Sequence, residues 1–119
     1  MSESPEKPIY WLGDAKRRLR GFPAEVQDEV GFALYQAQVG GRHPASKHMS
    51  ELNAVEVISD FDGDTFRSVY TTRFKNVIFV LHCFQKKSKT GKATPKPDLD
   101  LIRKRLRDAE KIYKTTIEK

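Results

Sequence analysis

Residues 54–86, which read AVEVISDFDGDTFRSVYTTRFKNVIFVLHCFQK, decide the fold. The stretch is rich in Val, Ile, Phe, Tyr and Thr, the residue types that favour an extended backbone on a half-buried surface. This composition predicts three β-strands, at residues 54–59, 65–73 and 76–84. The first two are joined by Asp-Phe-Asp-Gly-Asp, which is typical of a hairpin loop, and a second short turn joins the last two. The stretch therefore predicts an antiparallel meander.

The segment before the meander predicts one strand and two helices. A short apolar run at residues 9–12 predicts the strand, and the basic residues 15–20 predict the first helix. Between Pro23 and Gly40, apolar residues recur at helical spacing, so an amphipathic second helix is expected there. Residues 40–53, which are polar, are expected to form a connection.

A last helix is expected after a basic loop at residues 86–97, with Thr94 or Asp98 as its cap. One face of this helix would be apolar and the other basic. Together the elements predict a small α+β domain over residues 9–117, after a flexible N-terminus at residues 1–8. In this domain, two N-terminal helices and the C-terminal helix pack on a curved antiparallel sheet.

Side-chain alternation sorts the residues of the last two strands between the faces of the sheet. Arg67 lies on one side of its strand and Tyr70 on the other, while His82 shares a side with Lys86 and Leu81 points the opposite way. The register between strands, which the sequence leaves open, decides which of these sides coincide.

Positive charge is concentrated in the second half of the chain. Residues 1–66 contain 7 Lys or Arg and 11 Asp or Glu, whereas residues 67–119 contain 15 and 5, and the net charge is +6. A basic excess of this kind attracts a phosphate backbone or another polyanion, by an interaction that weakens with salt. A nucleic acid, a membrane surface or an acidic protein would each fit this charge, but many small basic proteins bind no particular anion, so charge alone does not identify the partner.

Several function classes are excluded by what the sequence lacks. No apolar run approaches the roughly 20 residues of a membrane span, and the first eight residues have no apolar centre of a signal peptide, so a cytoplasmic protein is expected. Cys83 is the single cysteine and cannot form an internal disulfide. No Cys or His cluster has the spacing of a zinc site, so neither a metal nor a cofactor is expected.

An ordered set of short motifs from about Ile9 to Tyr113 resembles the phage-derived Gp49-like/HigB family of toxins, within the RelE/ParE superfamily. The motifs are Tyr10-Trp11-Leu12-Gly13, Phe22-Pro23, Gly31-Phe32-Ala33-Leu34, Gly40-Gly41, Glu56-Val57, TFRSVY at 65–70, VLHCFQKKS at 80–88, Thr94-Pro95 and LIRKRL at 101–106. The resemblance implies a RelE/ParE-like fold and the toxin of a type II toxin-antitoxin system. It also implies a ribosome-dependent endoribonuclease that inhibits translation, with contacts to mRNA and rRNA, and a helix-turn-helix, HigA-like antitoxin in a hetero-oligomer.

The chemistry of RNA cleavage without a metal indicates which residues would carry it. The 2′-hydroxyl of the substrate is the nucleophile, so cations and one or two proton-transfer groups suffice. Arg67 would stabilise the transition-state charge with its planar fork, and Lys86 would hold the backbone or move a proton. His82 is a candidate acid or base, with a hydrogen-bonded core histidine as the structural alternative, and Tyr70 would stack on a base or donate a hydrogen bond.

Six further basic residues of the second half are candidates for RNA contact. They are Arg73, Lys87, Lys89, Lys92, Arg103 and Arg107. Two other functions stay open, because a shared fold does not decide function. A ParE-like gyrase inhibitor would not need the Arg67 and Lys86 group as a catalytic site. A non-catalytic RNA-binding or ribosome-binding protein would need the charge without cleavage.

Overall fold

The computed structural model describes residues 6–86 and 93–117, in which five strands form one sheet and three α-helices pack on it. The elements are β1 (Ile9–Trp11), α1 (Ala15–Arg20), α2 (Ala24–Gln38), β2 (Ser46–Met49), β3 (Ala54–Phe61), β4 (Asp64–Thr71), β5 (Ile78–Lys86), α3 (Lys96–Ile112) and a π-helical segment, Tyr113–Ile117. The predicted α+β class is confirmed. The predicted flexible N-terminus falls largely on residues 1–5, which lie outside the described residues.

The sheet has the strand order β1-β5-β4-β3-β2. Neighbouring strands from β2 to β5 are antiparallel, as the meander predicts, but β1 runs parallel to β5. The expectation of a purely antiparallel sheet is therefore wrong at this edge. A parallel pair needs a long connection, and here nearly the whole domain separates β1 from β5 in sequence.

Strand β2 lies within the segment that was expected to be a polar connection. Its sequence, Ser-Lys-His-Met, has little strand propensity, but the strand pairs along its length with β3, from Ser46 opposite Val57 to Met49 opposite Ala54. Pairing at the sheet edge thus overrides local propensity.

The first turn of the meander is a two-residue hairpin loop. Asp62 and Gly63 both have positive φ angles, 53° and 84°, and Phe61 pairs with Asp64 on either side of them. A turn of this kind matches the twist of the flanking strands and requires Asn, Asp or Gly. The Asp-Gly pair therefore sets the register between β3 and β4.

A β-bulge interrupts the pairing of β4 with β5. Val69 pairs with His82, but the next residue, Tyr70, pairs with Val80, so Leu81 has no partner opposite it. Leu81 consequently packs in the same apolar cluster as Phe84. The expectation that Leu81 points away from the side of His82 is wrong, because the extra residue breaks the alternation.

Helices cover both faces of the sheet. On one face, here called the α2 face, α1 and α2 pack against residues such as Val57, Phe66 and Val80. On the other, the α3 face, α3 packs against residues that include Val69 and Phe79. No helix in residues 6–86 and 93–117 is both long and apolar enough to cross a bilayer.

Candidate functional site

The α3 face carries four buried ionisable side chains within an apolar layer. They are Glu56, Arg67, His82 and Lys86, and their exposed fractions are 4%, 5%, 2% and 7%. Arg67 in β4 is the register partner of Phe84 in β5, so His82 and Lys86, two residues to either side of Phe84, are its diagonal neighbours. Diagonal neighbours on one face are about 7–8 Å apart, within reach of long side chains. The structure thus brings three of the four predicted catalytic residues together.

Arg67 forms a buried ion pair with Glu56 of β3. Nη1 of Arg67 donates a hydrogen bond to Oε2 of Glu56 at 3.2 Å. The hydroxyl of Thr94, just before α3, donates to the same oxygen at 3.3 Å, so the segment that leads into α3 lies against the ion pair. A buried ion pair must overcome the desolvation of both charges, and it often stabilises a fold no better than apolar residues of the same size.

His82 links β5 to the first turn of α3. Its Nε2–H donates to Oδ1 of Asp98 at 2.7 Å, and its ring stacks on Phe84 with the centroids 4.9 Å apart. Burial lowers the pKa of His82, and this effect outweighs the Asp98 carboxylate, which raises it. The ring is therefore neutral near pH 7 and holds Asp98 against the sheet. Nδ1 is buried and accepts no hydrogen bond from the described residues.

Lys86 is the last residue of β5 and lies opposite Thr65. The predicted RNA contacts Lys87, Lys89 and Lys92 follow it and lie outside the described residues.

Tyr70 lies apart from this group. Phe66 and Tyr70 belong to the cluster under α2, whereas Arg67 and Val69 face α3. Burial raises the pKa of the Tyr70 hydroxyl. Its contact with RNA stays a prediction, since the structure places Tyr70 in the opposite layer from Arg67.

The predicted RNA-binding arginines Arg73, Arg103 and Arg107 are exposed. Nη2 of Arg73 lies 3.8 Å from Oε1 of Glu110, and Nη1 of Arg103 lies 3.7 Å from Oδ1 of Asp100. Exposed pairs of this kind are weak because solvent screens them. The arginines can therefore exchange these carboxylates for phosphate groups.

A second attachment holds α3 near its middle. The guanidinium of Arg105 donates to the backbone oxygen of Leu81 and to Oδ1 of Asp14, both at 2.9 Å. Hydrogen bonds from Arg18 and Arg105 hold the pKa of the Asp14 carboxyl well below its usual range. Gly13 has a φ of 53°, and a Cβ at this position would lie 2.6 Å from Nη2 of Arg105. A larger residue at this position would have to displace the guanidinium, and the positive φ also favours glycine.

Sequence reasoning missed Glu56 and Asp98 as members of the site. Glu56 interrupts an otherwise apolar run, Ala-Val-Glu-Val-Ile, and this interruption is the signal that could have found it. The sequence predicts Asp98 only as a helix cap, but the residue at the cap position is Pro95, and Asp98 binds His82 instead. Within the part of the chain that the structure describes, no group of three or more His, Cys, Asp or Glu side chains could hold a metal ion.

Residues 17–107 match the model of the family described as phage-derived protein Gp49-like (DUF891). The chain belongs to this family. The matched region contains α2, strands β2 to β5 and all the site residues from Glu56 to Asp98, so the buried group lies within the Gp49-like part of the chain. No curated protein matches the chain significantly. Membership of the Gp49-like family suggests a toxin that pairs with an antitoxin.

Proposed function

We propose that this Gp49-like protein is a ribosome-dependent mRNA endoribonuclease that inhibits translation, and that its cleavage site is the group around Arg67. The observation that supports the proposal is the convergence of Arg67, Lys86 and His82 on the α3 face, next to the end of β5. Phosphoryl transfer depends chiefly on positive charge that is already positioned when the transition state forms. Two cations held by neighbouring strands meet that requirement.

The reaction that fits this group uses the RNA's own 2′-hydroxyl. Its oxygen attacks the adjacent phosphorus and loses its proton, while the 5′-oxygen leaves and takes up a proton, which produces a 2′,3′-cyclic phosphate. The guanidinium of Arg67 binds the two non-bridging oxygens and stabilises the charge that develops on them. Lys86 holds the adjoining backbone phosphate. His82, which is neutral, acts as a positioning residue through Asp98.

RNA can reach Arg67 only if the segment before α3 moves. Thr94 donates to the same Glu56 oxygen as Arg67, and His82 holds Asp98 one helical turn further on. When Thr94 leaves, Arg67 can exchange the carboxylate of Glu56 for a phosphate. Binding to the ribosome supplies the free energy for this rearrangement, which accounts for cleavage only on ribosomes.

The same proposal names the partners. The protein acts in the cytoplasm, where ribosomes and a helix-turn-helix, HigA-like antitoxin are present. The exposed Arg73, Arg103 and Arg107 contact rRNA or the mRNA backbone. An antitoxin that carries acidic side chains competes for the same basic surface.

Cleavage of mRNA on programmed bacterial ribosomes, with free mRNA in parallel, tests the proposal. The wild type is expected to cut only on ribosomes, whereas Arg67→Ala and Lys86→Ala lose cleavage while remaining folded by circular dichroism. Arg20→Ala, an exposed residue at the end of α1, is the matched control and retains cleavage. Ribosome binding without cleavage would instead support a non-catalytic RNA-binding protein. Growth arrest with DNA damage and no ribosome binding would support a ParE-like gyrase inhibitor.

A further inference from the structure

A cavity of about 280 Å³ opens between the edge strand β2 and the segment that leads into α3. Met49 of β2 and Leu99 of α3 line it, and Glu56, the most buried of its lining residues, lies at its base. Lys47 and Thr94 contribute polar groups. The volume is slightly below the ~300–1,000 Å³ of pockets for drug-sized ligands. It suits a group of the size of one nucleobase.

The register between β2 and β3 explains why these side chains face the cavity. Lys47 lies opposite Glu56, and Met49 lies opposite Ala54, so both β2 residues share the α3 face with Glu56. Glu56 pairs with Arg67, and Lys47 presents its charge at the exposed edge of the sheet. A cation, an apolar wall and a buried carboxylate therefore line one cavity beside the Arg67 group.

Within residues 6–86 and 93–117, only one of the two carboxylate oxygens of Glu56 accepts side-chain hydrogen bonds. The hydrogen bonds from Arg67 and from Thr94 both go to Oε2. Oε1 is therefore the atom that can accept a hydrogen bond from a group in the cavity. A carboxylate accepts from N–H donors and is repelled by carbonyl oxygens.

We infer that this cavity binds one nucleotide of the RNA beside the scissile phosphate and selects a base that carries an exocyclic amino group. Lys47 contacts the phosphate, Met49 and Leu99 hold the base between them, and the amino group donates to Oε1 of Glu56. Adenine, cytosine and guanine have such a group, whereas uracil presents carbonyl oxygens beside its single N–H. The inference rests on the proposed function because it takes RNA as the ligand.

The two methionines of the chain, Met1 and Met49, provide a direct test. Protein labelled with ¹³C at the methionine methyl groups gives two signals, and the signal of Met49 reports from the cavity wall. Titration with AMP, CMP and GMP is expected to shift this signal. UMP is expected to bind about tenfold more weakly, because it lacks the hydrogen bond to the charged carboxylate.

Two variants separate the contributions to binding. Lys47→Ala is expected to weaken the binding of all four nucleotides by a similar factor, about fivefold, and to reduce the salt dependence of that binding. Glu56→Gln is expected to remove the preference against UMP, because an amide can donate to a carbonyl oxygen. Lys16→Ala, a matched exposed lysine on α1 in the opposite layer, should bind like the wild type.

The outcomes distinguish this inference from the proposed function. An unchanged Met49 signal with every nucleotide, or equal binding of all four that Lys47→Ala leaves unaltered, overturns the inference even if the protein cuts mRNA on ribosomes. Selective binding that depends on Lys47, in a protein that never cuts mRNA, supports the cavity as a nucleotide site and removes the nuclease. A second measurement is cleavage of mRNAs that differ only at the base beside the cut, for which uridine is expected to be the slowest.

Discussion

Both faces of the sheet are covered by helices, yet they bury different chemistry. The α2 face is filled by aliphatic and aromatic side chains, together with uncharged polar groups such as Ser59 and Ser68. In the described part of the chain, the charged side chains that are buried, Glu56, Arg67 and Lys86, all belong to the α3 face. The comparison teaches that the layer under α2 stabilises the fold by packing, while the layer under α3 combines apolar packing with charges whose burial contributes little to stability.

The largest effect should come from removing the central cation of the α3 face. Arg67→Ala is expected to slow cleavage on ribosomes by a factor on the order of 10²–10³, the range for losing one donor to a developing oxyanion. Arg67→Lys should recover only part of this loss, because lysine keeps the charge but lacks the planar fork. Single-turnover cleavage on programmed ribosomes measures both rates. Equal rates for Arg67→Lys and Arg67→Ala would show that positive charge at this position contributes nothing.

The next effect belongs to the α2 face. Leu34 in α2 is buried in its apolar cluster, so Leu34→Ala should lower the free energy of unfolding by about 3 kcal/mol through lost burial and the cavity left behind. The cleavage rate per folded molecule should stay unchanged. Urea unfolding and the ribosome assay measure the two quantities. A lower cleavage rate in the folded variant would show that the α2 face also contributes to cleavage.

Loosening the attachment of α3 to the sheet should have an intermediate effect on the free energy of unfolding. Arg105→Ala removes hydrogen bonds to Leu81 and Asp14 and should lower the free energy of unfolding by about 2 kcal/mol. Its neighbour Lys104 forms only an exposed pair with Asp108, so Lys104→Ala should change stability by less than about 0.5 kcal/mol. Similar losses for the two variants, measured by urea unfolding, would mean that Arg105 does not fasten the helix.

His82 makes the stability of the α3 face depend on pH. Burial lowers its pKa below the ordinary 6.5, so the unfolded chain binds a proton that the folded ring does not. This contribution to stability is complete above pH 6.5 and is lost as the pH falls toward the lower pKa of the folded state. His82→Gln should flatten the pH dependence of stability below pH 6.5. His48→Gln, an exposed residue of β2, serves as the control and should keep the wild-type profile.

The smallest change in stability should come from replacing the buried ion pair as a unit. The double variant Arg67→Met with Glu56→Leu is expected to unfold with a free energy within about 1 kcal/mol of the wild type, or higher. It should nevertheless have lost cleavage. Either single substitution should be the more destabilising, because it leaves one charge buried without its partner. A double variant as unstable as Leu34→Ala would show that the pair holds the fold together.

The local elements of the fold could be predicted from the sequence because each has a strong local signal. Helix α2 follows from its apolar spacing, and the hairpin of β3 and β4 follows from Asp62-Gly63. Strand β2 could not be predicted, because its four residues form a strand only by pairing with β3. The parallel placement of β1 likewise depends on a partner far along the chain.

The residues of the candidate site likewise fall into those that the sequence predicts and those that it does not. Arg67, Lys86 and His82 were found from their residue types and from the family resemblance, and the register then placed them together. Glu56 and Asp98 were missed because their roles come from partners 11 and 16 residues away that only the folded chain brings near. Whether a side chain belongs to the site is therefore decided by strand register, which hydrophobic periodicity does not contain.

The bulge at Leu81 decides which helical layer the second half of β5 faces. In a regular strand, His82 and Lys86 would share a side with Ile78 and Val80, which pack under α2. The single extra residue breaks the alternation of side chains along the strand. Even-numbered residues before the bulge therefore face α2, whereas even-numbered residues after it face α3. A β5 of the same length that paired with β4 without this bulge would carry the same histidine and lysine toward α2, away from Arg67 and Glu56. The bulge is thus as much a part of the site as the residues themselves.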